Sequence, residues 1–152
     1  KIAIDYISKH NLNFDQKNCF IHIRNKDYNS LRAFNRKVQL NEEYYIKAIK
    51  RLEKSEISQY LIFSDDFKKI PSVLLKLKNV HFVRNNSFHI DFILMSMCSI
   101  GVLNNSSFAY LAALNGKEKQ IIAPKYWLGW RSKKWYPIGL FSDNFNYVDI
   151  KD

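Results

Sequence analysis

An arginine set directly behind a short apolar run is the first pattern in this chain that could do chemistry. The run is 19–24 (CFIHIR), and its last residue, Arg24, opens a polar loop. A guanidinium in that place can fork onto two phosphate oxygens through charge-assisted hydrogen bonds, a geometry suited to a diphosphate. His22, alone among apolar neighbours, reads more readily as a core side chain than as a catalyst, and Asp27 as the ion-pair partner of Arg24. The second pattern is Ser64-Asp65-Asp66, again behind an apolar run. Adjacent carboxylates there could hold a divalent cation. They diverge, however, where a D-x-D spacing would converge, so capping of the following segment by Ser64 and Asp65 is the stronger reading and no metal is expected. The third pattern, Asn104-Asn105-Ser106-Ser107, opens a helix behind a strand. Its free N–H groups and two hydroxyls form an anion site, compatible with capping by Asn105 or Ser106. The fourth, 125–136 (KYWLGWRSKKWY), interleaves bases with aromatics. That would suit stacking on a sugar or on single-stranded nucleic acid, and it suits still better a flap whose aromatics pack on the sheet.

The elements that must position these residues follow from periodicity. Short apolar runs at 19–24, 60–64, 80–83, 100–103 and 120–123 predict five buried parallel strands. Between them lie helical patterns. Residues 42–54 carry Tyr45, Ile46, Ile49 and Leu52 on one face behind an N-cap at Asn41. Residues 72–78 follow Pro71, which suits a first helical turn. Residues 89–98 are apolar nearly all round, which predicts a helix enclosed by other elements. Residues 106–114 are Ala-rich, and Ile2 to Ile7 reads as the tail of a helix with Ile4, Ile7 and Leu12 on a shared face. Alternating strands and helices predict an α/β, Rossmann-like parallel sheet flanked by helices, with ligands at the carboxyl ends of its strands. All four patterns fall there.

Bulk properties narrow the classes. A chain of 152 residues that is 47% hydrophobic, with only 4 Gly and 3 Pro, predicts a single domain over 1–152 without linker or repeat. The first residue is Lys1 and a helix is already under way, so the chain reads as a fragment of a longer protein. No apolar run reaches the length of a bilayer span, and the expected location is the cytoplasm. Cys19 and Cys98 lack metal or redox spacing and read as reduced core residues. A formal charge of +10 favours anionic partners, whether phosphorylated small molecules, nucleic acid or an anionic membrane surface. Walker-type, GxGxxG and GxSxG patterns are absent, which disfavours P-loop, dinucleotide-fingerprint and serine-hydrolase chemistry.

Three blocks, in order, resemble the α-1,2-fucosyltransferase family, especially its bacterial members. His22-Ile23-Arg24-Asn25-Lys26-Asp27-Tyr28 is similar to an HxRRxDY signature, and Ile62-Phe63-Ser64-Asp65-Asp66 to an FSDD block. Asp91 to Cys98, followed by Asn105-Ser106-Ser107-Phe108, resembles D-x-x-LMS-x-C with NSSF, and Ile122-Ala123-Pro124 and Trp127 continue in register. The resemblance implies the donor-binding, C-terminal half of a GT-B-like glycosyltransferase, the acceptor-side half preceding Lys1. It implies inverting, metal-independent transfer of L-fucose from GDP-β-L-fucose to O2 of a terminal galactose on a glycan. No cofactor beyond the donor substrate and no nucleic acid is then expected, and peripheral contact with the inner face of a bacterial membrane stays open. Arg24 would be the catalytic residue, neutralising the leaving diphosphate; His22, Asp27, Ser64, Asp65, Asn105, Ser106 and Ser107 would complete the donor site. Asp91 would pair with the guanine edge, by likeness to GDP-fucose enzymes more widely. Two departures stand out: Asn25 replaces the second signature arginine, and Tyr110 and Leu111 replace a tryptophan pair. They keep open a different nucleotide sugar on the same scaffold, beside the separate alternative of a basic nucleic-acid or anionic-surface binder.

Overall fold

The computed structural model describes residues 2–115 and 119–152. Its centre is a six-stranded parallel sheet of β1 (Asn18–Ile23), β4 (Gln59–Ser64), β5 (Val80–Val83), β6 (Ile100–Val102), β7 (Gln120–Pro124) and β8 (Phe145–Val148). Two short strands, β2 (Arg32–Ala33) and β3 (Arg36–Lys37), form an antiparallel hairpin apart from it. The spatial order is β5-β4-β1-β6-β7-β8, every pairing parallel. Counting only these six strands along the chain, that is 3-2-1-4-5-6, the doubly wound order whose topological switch point lies between β1 and β6. The expected α/β Rossmann-like sheet is therefore present.

Strand alternation divides the core in two. Phe20, Leu61, Phe63, Val83 and Ile121 face one side, under α1 (Ile2–Lys9), α4 (Phe88–Met97) and α5 (Ser107–Leu114). Cys19, Ile21, Ile23, Ile62 and Val102 face the other, under α2 (Glu42–Leu52) and the single turn α3 (Ser72–Leu75). Gly101 permits the closest approach within the sheet: a Cβ there would lie 2.4 Å from the Phe20 ring and 2.9 Å from Ile121 Cδ1. Both cysteines are buried and unpaired.

Several expectations change. A sixth strand, β8, joins the sheet edge; its FNYV pattern is too short and mixed to announce itself, and parallel pairing with β7 creates it. The β2–β3 hairpin turns through Phe34 and Asn35, both at positive φ (52° and 60°), as a two-residue turn of that kind requires, but without the glycine that normally signals it. In α2 the Asn41 cap is as expected, its side chain accepting from Tyr44 N at 3.3 Å. The buried face, however, is Tyr44, Tyr45, Ala48 and Leu52, and Ile46 is exposed. Pro71 sits at the N-cap of α3, which stops at Leu75 rather than running to residue 78. Helix α4 is not enclosed: Leu94 and Met95 are buried while Phe88, Ile93 and Met97 are exposed, because a helix in the outer layer has only the sheet and its neighbours to cover it. Ile4 of α1 likewise faces outward. Among the described residues no helix is long and apolar enough to cross a membrane.

Candidate functional site

A cleft of about 400 Å³ opens at the carboxyl edge, at the switch point between β1 and β6. It is lined from β1 and its loop by His22, Arg24, Asp27 and Tyr28, from β4 by Phe63, Ser64 and Asp65, from α4 by Phe88 and Asp91, and from the start of α5 by Ser106, Ser107 and Phe108. Eight of the nine residues singled out from the sequence thus converge; Asn105 alone lies outside the lining.

Arg24 is the only cation among the lining residues. Alternation puts it on the same face as His22, and its guanidinium is held by acids on one edge. Nε donates to Asp27 Oδ1 at 2.8 Å and Nη2 to Asp27 Oδ2 at 3.0 Å, with Asp65 Oδ2 3.4 Å from Nε. The hydrogen bond with Asp27, foremost, raises the Arg24 pKa and holds the Asp27 carboxyl below its ordinary value. The Nη1 edge remains for a ligand. Asp65 does more than pair: its two oxygens accept the backbone N–H groups of Asn25 (2.8 Å) and Lys26 (3.1 Å), tying the β1 loop to the end of β4. Asp66 accepts from Lys68 N at 3.1 Å, and so it, rather than Ser64 or Asp65, caps the following turn. Ser64 Oγ accepts from Asp66 N at 3.1 Å. The neighbouring carboxylates are thus committed to backbone amides in different directions, and among the described residues no cluster of three or more potential metal ligands forms.

Burial, more than any charge, lowers the His22 pKa to about 4, Arg24 adding to the effect, so the ring is neutral near pH 7. Asp91 lies in the first turn of α4 and shows the opposite consequence of the same cause. Burial pushes its pKa up to about 6, with a 3.5 Å contact from Asn86 Nδ2 opposing it. Its carboxylate therefore lacks strong partners of its own. Phe88 and Phe108 also line the cleft, a pair of aromatics not among the site residues expected from the sequence.

Ser106, which also lines the cleft, is the N-cap of α5, yet its side chain makes no capping hydrogen bond, which leaves the hydroxyl and the first helical N–H groups available to an anion. The loop that presents them is held from several sides. Tyr44 donates its hydroxyl to Leu103 O from α2, Asn104 Nδ2 donates to the Tyr45 hydroxyl at 3.0 Å, and Tyr28 donates to Asn105 O at 2.8 Å. Asn105 itself is 1% exposed, its Nδ2 donating to Val38 O at 2.8 Å. It therefore braces the loop instead of facing the cleft. Asn25 is displaced from the cleft for a different reason. One residue beyond Arg24, it points to the opposite face, where Gln39 Nε2 donates to its Oδ1 at 3.0 Å and its own Nδ2 donates to Lys69 O at 3.3 Å. The 125–136 stretch packs on the fold: Trp127 and Trp130 are 2% and 1% exposed, and Trp130 Nε1 donates to Val38 O at 2.9 Å.

One cleft at the switch point thus brings together a cation, a helix N-terminus and a carboxylate whose one partner is the distant Asn86 amide. The chain is 32% identical over 120 residues to the O-antigen biosynthesis glycosyltransferase WbnK of Escherichia coli, an alignment covering 74% of this chain and 40% of WbnK. It thus spans less than half the length of that relative. No solved structure matches it. The family model for glycosyl transferase family 11 matches residues 4–146, nearly the whole chain. Matched over nearly its whole length, the chain belongs to glycosyltransferase family 11.

Proposed function

We propose that this cleft is the donor half of a glycosyltransferase site and takes GDP-fucose. The observation that carries the reading is that one cleft is lined both by Arg24 and the α5 N-terminus, which suit the diphosphate, and by Asp91, which suits guanine. An ionised carboxylate accepts from both guanine N1–H and the N2 amino group, whereas the corresponding edge of uracil presents acceptors as well as a donor. Phe88 and Phe108 provide faces for the base.

In the reaction so proposed, a hydroxyl oxygen of the acceptor, O2 of a terminal galactose, gives up its proton to a base on the acceptor side or to water and attacks C1 of fucose from the face opposite the leaving group. The C1–O bond to the β-phosphate breaks, its electron pair stays on GDP, and the linkage inverts from β to α. Negative charge therefore grows on the diphosphate. Arg24 and the donors at Ser106 and Ser107 stand where they can stabilise it, so Arg24 is the proposed catalytic residue. Asp27 and Asp65 fix the guanidinium in advance, which removes reorganisation from the step. The metal-independent character of the proposal rests on this cation and these dipoles taking the charge that a divalent ion would otherwise carry. The wider frame of a two-domain GT-B enzyme, with the acceptor side supplied by chain beyond this sequence, belongs to the same proposal.

Calorimetric titration with GDP and UDP tests it. GDP should bind and UDP should bind at least about fivefold more weakly, given about 1–3 kcal/mol for a bidentate base contact. Arg24→Ala should abolish measurable GDP binding. Equal affinity for the two nucleotides, or an unchanged affinity in Arg24→Ala, would overturn the assignment. The nucleic-acid alternative loses two of its stacking aromatics with the burial of Trp127 and Trp130.

A further inference from the structure

The hairpin after β1 and the loop after β7 leave the same carboxyl edge of the sheet and meet there. The rings of Phe34 and Tyr136 lie 5.5 Å apart, edge to face, and Lys134 Nζ stands 5.8 Å from the Phe34 ring centre. The β7 loop is a built structure. Leu128 N donates to Tyr136 O at 3.0 Å, and Trp135 packs at 5.3 Å on Phe141 and 5.2 Å on Tyr147. Above this base the apolar side chains point outward. Leu31, Phe34, Tyr136 and Phe141 are all exposed, and Ile138, at the tip between Pro137 and Gly139, is 93% exposed. At the hairpin tip Phe34 holds a positive φ of 52°, a conformation costly for an aromatic residue.

The charge around these side chains is mainly positive. Segments 31–37 and 125–141 contain seven basic residues and no acidic one. The acids that pair with them come from the C-terminal strand's continuation: Asp149 with Lys125 and Lys133, Asp152 with Arg36 and Arg131. Those two acids, with Asp143 just beyond Phe141, leave four positive charges in excess.

We infer that this patch docks the protein on an anionic phospholipid surface, with Ile138 and Phe34 entering the headgroup layer and the surrounding cations facing lipid phosphates. Exposed aliphatic tips inside a basic rim match that interface. They match nucleic acid less well, since Ile138, the most exposed of them, cannot stack on bases, and they match a protein–protein core poorly, since lysine is depleted there. The cleft opens on the same edge of the sheet, so docking sets it beside the lipid surface. The inference does not rest on the identity of the donor.

Flotation with phosphatidylcholine vesicles, with and without phosphatidylglycerol, tests it. The protein should float with the anionic vesicles and stay behind with the neutral ones, and added salt should release it. Lys134→Ala should weaken binding about fivefold, the loss expected for one cation at such a surface. Ile138→Asp should weaken it about tenfold or more. Both side chains are exposed, so circular dichroism and GDP affinity should stay at wild-type values in each variant. Equal flotation with neutral and anionic vesicles, or undiminished binding by Ile138→Asp, would overturn the inference. Vesicle binding without GDP binding would leave it standing and remove the proposed donor instead.

Discussion

Replacing Asp91 with asparagine should stabilise the protein while damaging its nucleotide site, a combination that a merely structural carboxylate would not produce. Burial raises the folded-state pKa of Asp91 from 3.8 to about 6. A raised carboxyl pKa means the folded protein prefers the protonated form. The associated stability is complete below pH 3.8 and is lost as pH rises through about 6, so at neutral pH the ionised group sits at a cost. A shift of that size corresponds to about 3 kcal/mol, and discounting for the solvent that reaches this half-buried group leaves about 1–2 kcal/mol. Asparagine keeps the shape without the charge. Urea unfolding at pH 8 should therefore show a gain of about 1–2 kcal/mol, or a rise of roughly 3–6 °C in Tm, that disappears near pH 4. In the same protein GDP binding at pH 8 should fall about 5- to 150-fold, because the amide offers one acceptor where the carboxylate offers two to guanine. Wild-type affinity should likewise decline as pH falls through about 6. A variant less stable than wild type at pH 8, or one that binds GDP undiminished, would refute the reasoning.

Two other substitutions probe the supports of the site. Asp65→Ala leaves the N–H groups of Asn25 and Lys26 without their acceptor and removes one restraint on Arg24; it should cost about 1–3 kcal/mol in urea unfolding and weaken GDP binding, with Asp65→Asn recovering part of both. Asn25→Arg restores the second arginine of the family signature, but this position faces a separate hollow of about 350 Å³ lined also by Gln39, Glu42 and Lys69. GDP affinity measured by calorimetry should therefore stay within about twofold of wild type, and a larger change would show that the two faces of the edge are coupled.

How much of this was legible from the sequence depended on whether the information was local. Five of the six sheet strands, the Asn41 cap and the place of Arg24 behind a strand follow from periodicity and nearest neighbours, which act within a few residues. The convergence of Arg24, Asp65, Asp91 and Ser106 also follows, because parallel strands bring all their carboxyl ends to one edge. Side-chain direction past the strand ends does not follow. Asn25 and Asn105 sit inside the most recognisable motifs, yet both turn away, one by strand alternation and the other because Val38 O recruits its amide. Nor does the sequence show that Asp65 binds backbone amides some forty residues earlier in the chain, or that Phe88 and Phe108 flank the cleft. The fate of the aromatic and basic stretch was likewise tertiary: Trp127 and Trp130 pack inward while Ile138 stands out at the tip. The sequence by itself determined which residues could carry charge, cap helices and build strands, since those properties belong to each residue and its neighbours. The tertiary structure decided which of them share a cavity, because that depends on where distant loops come to rest.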